Sequence, residues 1–334
     1  MDHERRWHMI RMFCVMVVLS LMLGCSGYVF QGLPGLGGSS GSATDINNQG
    51  DIVGHCRTEE GVSHAVLWHT GSVVDLGTLG GDNSYALGIN DDGDVVGYSE
   101  TADGDMHAFV WQEGIMTDIH DPDVAFLNQS YAHDISDHGL IAGTMSIGGI
   151  VWLAPDHYVW VLEGSGFHGP SDAYDVNNSG QAVGWYHGND QAYVWQDGSM
   201  TILPHLGVNR SRAYGINNSG QIAGSVVDPD SHLTTAAVWQ ADSPPQMLGT
   251  LGGNMSMARA ISDTGTIVGM SKNPEDAEVP FYATLSEGVM HELMNLSSGW
   301  AANVNRHGVI VGWVVDSQGD RRPVKWVWTS WQWP

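Results

Sequence analysis

The chain consists of short apolar segments separated by small and polar residues. Each segment is rich in Val, Ile, Tyr, Phe and Trp, and each is bounded by Gly, Asn, Asp or Ser. Short runs of β-branched and aromatic residues between turn-forming residues are typical of β-strands. No window shows the apolar spacing of an amphipathic helix of useful length, so the pattern predicts an all-β chain.

One stretch recurs seven times, and residues 86–97 are a representative copy. The pattern is Ala, two free positions, Ile or Val, Asn or Ser, two free positions, Gly, one free position, two small aliphatic residues and Gly. The copies end at Gly54, Gly97, Gly143, Gly184, Gly224, Gly269 and Gly312. A period near forty residues with four predicted strands per period predicts a seven-bladed β-propeller, with four antiparallel strands in each blade.

Two constant turns punctuate each repeat. The Asn-x-x-Gly turn, as in residues 90–93, follows the first strand, and its Gly supplies a positive φ. The Trp-x-x-Gly turn, as in residues 111–114, follows the third strand. The connections after the second and fourth strands are predicted to be long and variable, for example over residues 98–106.

The two ends of the chain are predicted to meet. The last repeat ends after its third strand, and residues 28–33 match the fourth strand of an ordinary repeat. We therefore predict that the N-terminal strand completes the last blade by pairing near residues 325–328. This pairing would remove the exposed edges that an open array leaves.

Residues 1–24 have a different pattern. Three arginines precede an apolar run over residues 12–23, which meets Cys25. A charged start, a short apolar core and a small residue before the cut describe a secretory signal, and the run is short for a membrane span. Residues 21–25 resemble a bacterial lipobox. This predicts a lipoprotein-type signal peptide over residues 1–24 and a single seven-repeat domain over residues 25–334 with Cys25 lipidated. Ordinary cleavage with Cys25 unmodified is the alternative.

The chain is strongly acidic, with 37 Asp and Glu residues against 12 Lys and Arg residues and a formal net charge of −25. This charge argues against nucleic acid and against anionic lipid as ligands. Cys14 lies in the predicted signal and Cys25 carries the predicted lipid, so Cys56 has no partner. No disulfide is therefore predicted.

Three motifs recur in register after the signal. They are His-Ala-Phe at residues 107–109, Gly-Thr-Leu-Gly-Gly at residues 77–81 and again at 249–253, and Ile-Asn-Asp-Asp-Gly at residues 89–93. Together they resemble the bacterial HAF family of extracellular repeat proteins over nearly all of the exported chain. The resemblance implies export and a repeat fold, and it implies no catalytic residues.

The variable connections are predicted to share one face, because alternate connections of an up-and-down blade lie on opposite faces. Variation confined to one face of a repeat array is typical of a binding surface. We expect any ligand to bind this face around the central channel. The candidate ligand-binding residues are Trp185, His187, Asp190, Asp228, Asp230 and His232.

The same face is rich in Asp, Glu and His, which are residue types that can ligate metals. Residues 228–232, Asp-Pro-Asp-Ser-His, resemble a cation cluster by residue type. Solvated acidic loops are the simpler interpretation. No metal-type Cys spacing, nucleophile elbow, phosphate loop or His-Glu-x-x-His motif is present. We therefore predict no metal, no cofactor and no catalytic residue.

The tryptophans fall into two groups. One group recurs at a fixed strand position and is predicted to pack between blades: Trp68, Trp111, Trp160, Trp195 and Trp239. A second group lies off that position and is open to ligand stacking, with packing as the alternative: Trp152, Trp185, Trp300 and Trp313.

Three functions remain open at this point. The first is an exported, membrane-anchored, non-catalytic module that binds an extracellular glycan or protein. The second is an enzyme acting on an extracellular polymer, such as a glycan lyase or hydrolase, which is an analogy from the fold alone. The third is a purely structural surface repeat protein. In each case we expect a monomer in the outer membrane or outside the cell, attached to the membrane only through an N-terminal lipid.

Lipidation of Cys25 is directly testable. We expect mass spectrometry of the mature N-terminus to find a lipidated Cys25, and Cys25→Ala to move the protein out of the membrane fraction. An unchanged membrane fraction and unchanged electrophoretic mobility for Cys25→Ala would contradict the prediction.

Overall fold

The computed structural model describes residues 27–121, 129–145, 148–154, 157–161, 170–240, 243–293 and 298–330. The predicted signal peptide and Cys25 lie outside these residues. The described residues form seven four-stranded antiparallel sheets arranged as a seven-bladed β-propeller, as the repeat pattern predicts. Among them no helix is present that is long and apolar enough to cross a membrane.

Strands follow chain order within each blade, from the innermost strand outwards. The first three blades comprise β2 (Gly37–Ile46), β3 (Ile52–Thr58), β4 (Ser63–His69) and β5 (Ser72–Asp75); β6 (Gly80–Ile89), β7 (Val95–Thr101), β8 (Met106–Gln112) and β9 (Ile115–Asp118); and β10 (Ser130–Ile135), β11 (Ile141–Met145), β12 (Gly148–Ala154) and β13 (His157–Trp160). The next three comprise β14 (Ser171–Val176), β15 (Ala182–Tyr186), β16 (Gln191–Gln196) and β17 (Ser199–Ile202); β18 (Ser211–Ile216), β19 (Ile222–Val227), β20 (Thr234–Trp239) and β21 (Gln246–Gly249); and β22 (Ser256–Ile261), β23 (Thr266–Lys272), β24 (Glu278–Thr284) and β25 (Met290–Glu292).

The seventh blade joins the two ends of the chain. It contains β26 (Gly299–Val304), β27 (Ile310–Val315), β28 (Arg321–Thr329) and, outermost, β1 (Gly27–Gly32). In the antiparallel pair of β1 and β28, Tyr28 lies opposite Trp328 and Phe30 opposite Trp326. The predicted closure by the N-terminal strand is therefore confirmed.

The connections after the second strands are shorter than predicted. β7 continues to Thr101 and β8 begins at Met106, so the predicted loop over residues 98–106 is mostly paired strand. The Thr101 N–H donates to the Asp105 carbonyl (2.9 Å) and closes a tight turn. The prediction was wrong because polar residues continue along the strands after the apolar pattern ends, and polarity alone does not interrupt backbone pairing.

In the third blade, Trp152 and not Trp160 takes the packing position that the sequence pattern predicts. Trp152 lies opposite Ile141, just as Trp68 lies opposite Ile52 in the first blade. Trp152 is completely buried and donates its Nε1–H to the Ile119 carbonyl (3.2 Å). Trp152 is therefore the packing residue of this blade. Trp160 lies one strand further out, on β13.

The predicted packing role is confirmed for Trp68, Trp195 and Trp239, whereas Trp111 is only partly buried where it packs against the core. Trp68, Trp195, Trp239 and Trp326 are all buried on the third strands of their blades. Large aromatic side chains contribute much of the apolar area of a core, so these residues help to stabilise the contacts between blades.

The Gly that ends each copy of the recurring pattern is required for steric reasons. Each inner strand shifts register just after its conserved Ala, as between Ala86 and Gly88 of β6. At the same height a Cβ atom on Gly97 would collide with the carbonyl oxygen of Tyr85. Only glycine allows the first two strands of a blade to approach this closely.

The Asn-x-x-Gly turns bind to one another around one end of the channel, which we call the narrow face. Asn47 accepts the N–H of Asp51 with its Oδ1 (2.9 Å) and so holds its own turn. Its Nδ2 donates to the carbonyl of Asn90 in the next blade (3.1 Å). Five such amide bridges link neighbouring blades among the described residues. Ser136 and Ser262 each accept a backbone N–H within their own turn, but a serine side chain has no amide group that could donate to the next blade.

The next turn residue forms a second ring on the narrow face. Asp91 accepts the backbone N–H of Asn48 (2.8 Å), and the N–H of Asp91 donates to Asp137 of the following blade (2.9 Å). Six of the seven blade interfaces carry this bond in the described chain. The sequence analysis treated this position as free, whereas its carboxylate or amide caps the preceding blade.

The His-Ala-Phe triplet is a structural unit of the second blade. His107 Nδ1 lies 2.7 Å from Asp118 Oδ2 on β9, and the Ala108 N–H donates to Ser130 Oγ of the third blade (2.9 Å). Phe109 is completely buried. The triplet thus bonds β8 to β9 and to the third blade, and its Phe packs in the core.

Deleting residues 27–32 should lower the free energy of unfolding by several kcal/mol, because the pairing of β1 and the packing of Tyr28 and Phe30 are lost. Thermal melting followed by circular dichroism measures the effect. Gln31→Ala, at an exposed position of the same strand, is the control and should leave the melting temperature nearly unchanged. Equal melting temperatures for the deletion and the full chain would contradict closure by β1.

Candidate functional site

A cavity opens at the end of the channel opposite the narrow face. We call this end the wide mouth; the cavity has a volume of about 370 Å³. Every inner strand contributes the residue that follows its conserved Ala. These seven residues are Thr44, Leu87, His133, Tyr174, Tyr214, Arg259 and Ala302.

Aromatic rings line and flank the wide mouth: Tyr174, Tyr214, Trp300 and Trp313 line the cavity, and Tyr85, Tyr98 and Tyr131 extend the row of rings beyond that lining. Tyr85 and Tyr98 stack with ring centroids 4.9 Å apart, and Tyr131 follows at 5.0 Å from Tyr98. The row continues through Tyr174 and Tyr214, whose centroids are 5.6 Å apart. Separately, Trp300 and Trp313 of the seventh blade stack at 6.2 Å and line the cavity. We call these seven side chains the aromatic arc.

The two histidines beside the arc are neutral near pH 7. The pKa of His133 is lowered to about 4, chiefly by burial and also by the positive charge of Arg259, against the opposing effect of Asp172. Burial likewise lowers the pKa of His55 to about 4, with the charge of Arg321 acting in the same direction. These rings are therefore uncharged contact surfaces at physiological pH.

Three of the predicted site residues meet at the rim of the fourth blade. Trp185 lies on β15, not in a loop, and donates its Nε1–H to Asp190 Oδ1 (2.9 Å). The ring of His187 lies 3.8 Å from that of Trp185, and the guanidinium of Arg212 lies 3.9 Å over the other face. This cluster joins the wall of the channel because Asp172, opposite Trp185 on β14, binds His187 Nε2 (2.8 Å).

The other three predicted residues lie in the connection between β19 and β20 of the fifth blade. Asp228 accepts the N–H of Asp230 (2.8 Å), and the His232 N–H donates to the Asp228 carbonyl (2.9 Å). This loop is linked to the fourth blade through Arg210, which donates to Asp190 (2.9 Å) and whose carbonyl accepts the N–H of Val227 (3.0 Å). All six predicted residues therefore lie on the same face. In the described part of the chain, no three His, Cys, Asp or Glu side chains converge as metal ligands.

Thr144 lies between His133 and Asp172, in an order that does not activate its hydroxyl. The Thr144 hydroxyl donates to Asp172 Oδ1 (3.0 Å), while His133 Nε2 lies 3.3 Å from Thr144 Oγ1. Because the hydroxyl proton already goes to Asp172, His133 can only donate to this oxygen. A Ser-His-Asp triad needs the histidine to accept the hydroxyl proton.

Deeper in the channel, three buried carboxyls occupy the bulge position of the inner strands. Asp45 accepts the backbone N–H of Ile89 in the next blade (2.7 Å) and a bond from Asn303. The pKa of Asp45 is raised to about 7, chiefly by burial and also by the negative charge of Asp134. Burial also raises the pKa values of Asp134 and Asp175, which share a hydrogen bond.

The sequence analysis missed the inner-strand residues of the cavity. His133, Tyr174, Tyr214 and Arg259 each lie between the conserved Ala and the Ile or Val of their repeats. A position that varies from Thr to Arg between constant neighbours is the signal that could have identified the channel wall, since the constant residues face the blades.

No family model and no curated protein sequence matches the chain. In fold it is similar to the β-propeller domain of the Trilobed protease from Pyrococcus furiosus, with 10% identity, 86% of this chain and 95% of that chain covered, and a TM-score of 0.55. It is also similar to TolB from Acinetobacter baumannii, with 11% identity, 85% and 69% covered, and a TM-score of 0.48. For a gluconolactonase from Xanthomonas campestris the values are 10%, 91% and 100%, and a TM-score of 0.42. At these identities the similarity shows the propeller fold alone.

The buried carboxyls predict an inverted pH dependence of stability. Because the folded state raises the pKa of Asp45 from 3.8 to about 7, it binds more protons than the unfolded state between these values. The contribution of Asp45 to the free energy of unfolding should therefore fall as pH rises from about 4 to about 7, by on the order of 1 kcal/mol per pH unit. His55 and His133, whose pKa values are lowered to about 4, contribute in the opposite direction between about pH 4 and 6.5.

Urea denaturation at pH 5 and pH 7.5, followed by Trp fluorescence, measures this effect. Because it removes a contribution that falls with pH, Asp45→Asn should shift the change in unfolding free energy from pH 5 to pH 7.5 towards greater stability at pH 7.5. Glu113→Gln, in an exposed turn, should leave that change as it is in the unmodified protein. A change in unfolding free energy between pH 5 and pH 7.5 that is the same in Asp45→Asn as in the unmodified protein would contradict the assignment.

Proposed function

We propose that the protein is an exported, lipid-anchored β-propeller that binds an extracellular glycan at the wide mouth of its channel without catalysing its breakdown. Four rings of the aromatic arc line the 370 Å³ cavity, those of Tyr174, Tyr214, Trp300 and Trp313, and they are the observation that carries this proposal. Ligand sites are typically concave, rich in aromatic side chains and supplied with a few polar groups, and their volumes begin near this size.

The aromatic arc suits a sugar ring in particular. Flat faces such as those of Tyr214 and Trp300 offer apolar contact to the C–H face of a pyranose, while tyrosine hydroxyls offer hydrogen bonds at the ring edge. Tyr174 is already oriented by a bond from its hydroxyl to Asp172 (3.1 Å). A wall held in place before binding loses little side-chain entropy on binding.

The predicted loop-face residues form the rim of this proposed site. Trp185, His187 and Asp190 would contact the part of the ligand that extends over the fourth blade. Asp228, Asp230 and His232 would contact the part over the fifth blade. Their common position on the same face as the cavity supports this role.

Export and anchoring rest on the N-terminal segment and on the resemblance to the HAF repeats. The signal-like residues 1–24 and the lipobox-like residues before Cys25 support attachment to the outer membrane through a lipid alone. The negative charge supports the exclusion of nucleic acid as a partner. Closure of the seventh blade by β1 supports a monomer, since it leaves no half-filled blade for a second chain to complete.

Binding is favoured over catalysis by the chemistry of the cavity wall. Thr144 is bonded in an order that leaves its hydroxyl inactive, and His133 has its pKa lowered to about 4, too low for a general base near pH 7. The aromatic arc also supports binding over a purely structural role, which needs no ring-lined cavity.

Substitution of the arc tests the proposal. Against a panel of oligosaccharides, the full-length protein should bind at least one, and Tyr214→Leu and Trp300→Leu should each weaken that binding by roughly 10-fold or more. Both variants should keep the fold, since neither residue belongs to the turn rings of the narrow face. Isothermal titration calorimetry measures the affinity and thermal melting checks the fold.

Two control variants lie away from the wide mouth. Trp328→Leu removes an exposed ring on the outer edge of the seventh blade, and Asp92→Asn removes a charge in a turn of the narrow face. Both should bind normally. Unchanged binding by both arc variants, or loss of binding in Asp92→Asn alone, would place the ligand elsewhere.

A further inference from the structure

Arg259 is the one basic residue among the seven that follow the conserved Ala in the channel wall. It projects from β22 between Tyr214 of the fifth blade and Ala302 of the seventh, and it lines the cavity. Its guanidinium carbon lies 5.2 Å from the ring centroid of Tyr214 and 6.0 Å from that of Tyr174. The guanidinium is therefore held at the edge of the aromatic arc, with its N–H groups exposed to the cavity.

The charge of Arg259 is not balanced by a carboxylate. Among the described residues, ion pairs within 4.0 Å involve Arg210, Arg212, Lys272 and Arg322, whereas none involves Arg259. Asp172, the acid on the wall of the wide mouth, already accepts bonds from three side chains, those of Thr144 (3.0 Å), Tyr174 (3.1 Å) and His187 (2.8 Å). The positive charge in the cavity is thus available while the negative charge is engaged.

A second arginine repeats this arrangement at the rim. The guanidinium of Arg321 lies 4.2 Å over the ring of Trp313, a residue of the aromatic arc, and it too forms no ion pair in the described chain. Its neighbour Arg322 differs, because it pairs with Asp316 (2.8 Å) and Asp320 (3.5 Å). Two adjacent arginines therefore have different roles: one is neutralised by acids of its own turn and the other is held over a cavity ring.

The rest of the molecule makes this local charge informative. With a net charge of −25, the protein as a whole repels anions. Two unpaired arginines from the sixth and seventh blades at the wide mouth create a local exception. Guanidinium groups bind carboxylates through two parallel, charge-assisted hydrogen bonds, which a neutral hydroxyl cannot reproduce.

We propose that the wide mouth selects acidic glycans, with Arg259 binding the carboxylate of a uronate unit while the aromatic arc holds its ring. Arg321 adds a second positive charge for the neighbouring acidic unit of the chain. This inference rests on the proposed function, glycan binding at the wide mouth, and adds the chemical class of the glycan.

Paired probes test this selectivity. The full-length protein is titrated calorimetrically with oligogalacturonate and with the same oligomer as its methyl ester, which keeps the ring and linkage but removes the charge. Oligomers of mannuronate and glucuronate extend the acidic set. We expect at least one acid to bind roughly 10- to 100-fold more tightly than its methyl ester, the range expected for charge-assisted hydrogen bonds.

Variants assign the selectivity to a residue. Arg259→Gln should weaken binding of the acid by a similar factor and leave binding of the ester nearly unchanged. Arg306→Gln removes an equal charge from the narrow face and should alter neither. Arg322→Gln is the matched control for Arg321→Gln, because only Arg321 lies over the aromatic arc.

Each outcome decides between the two proposals. Equal affinity for acid and ester, or an equal loss for both probes in Arg259→Gln, would overturn acid selection and leave glycan binding intact. Binding of a neutral glycan that depends on Tyr214, with no binding of any acid, would do the same. Failure of every glycan to bind would overturn the proposed function itself.

Discussion

The propeller depends on hydrogen bonds between the Asn-x-x-Gly turns of neighbouring blades. Each blade is a small sheet that cannot bury both of its faces alone, and the turns position one sheet against the next. Asn47 shows the arrangement: its carbonyl oxygen holds its own turn while its amide reaches the next blade. Because Asp91 and its equivalents cap the preceding blade at six interfaces, the ring is held at two successive residues, and closure by β1 completes it.

The hydrogen-bonded turns therefore make the narrow face rigid, and the candidate ligand-binding side chains lie at the wide mouth. Inner strands that are fixed at their turn ends hold Tyr174, Tyr214 and Arg259 at set heights in the channel wall. Between the two ends lie Asp45 and two further buried carboxyls, which are tolerated because backbone N–H groups bind them and because their pKa values rise. The free-energy cost of burying these carboxyl groups thus arises only between the ring of turns and the cavity.

Much of the fold was predictable because its constraints repeat. The positive φ of Gly93, the burial of Trp239 and the pairing of β1 with β28 all follow from residues that recur in register. The third blade was misassigned because both Trp152 and Trp160 fit the pattern, and only the strand pairing distinguishes them. The cavity was not predictable in detail, since Tyr214 and Arg259 are single variable residues whose proximity arises from closure of the ring. Trp185 and His187 were predicted together because they are also close in sequence.

The variable position after the conserved Ala has a consequence for how such proteins can change. Tandem duplication produces copies that share the same turns, glycines and packing tryptophans, and those residues must stay as they are. The position after the conserved Ala, which lines the cavity in every repeat, is released from that requirement, as its range from Thr44 to Arg259 shows. A single codon change in any repeat can therefore alter the lining without disturbing assembly. In a propeller of this type, seven equivalent positions line the cavity, and new binding specificities can arise by one substitution at a time.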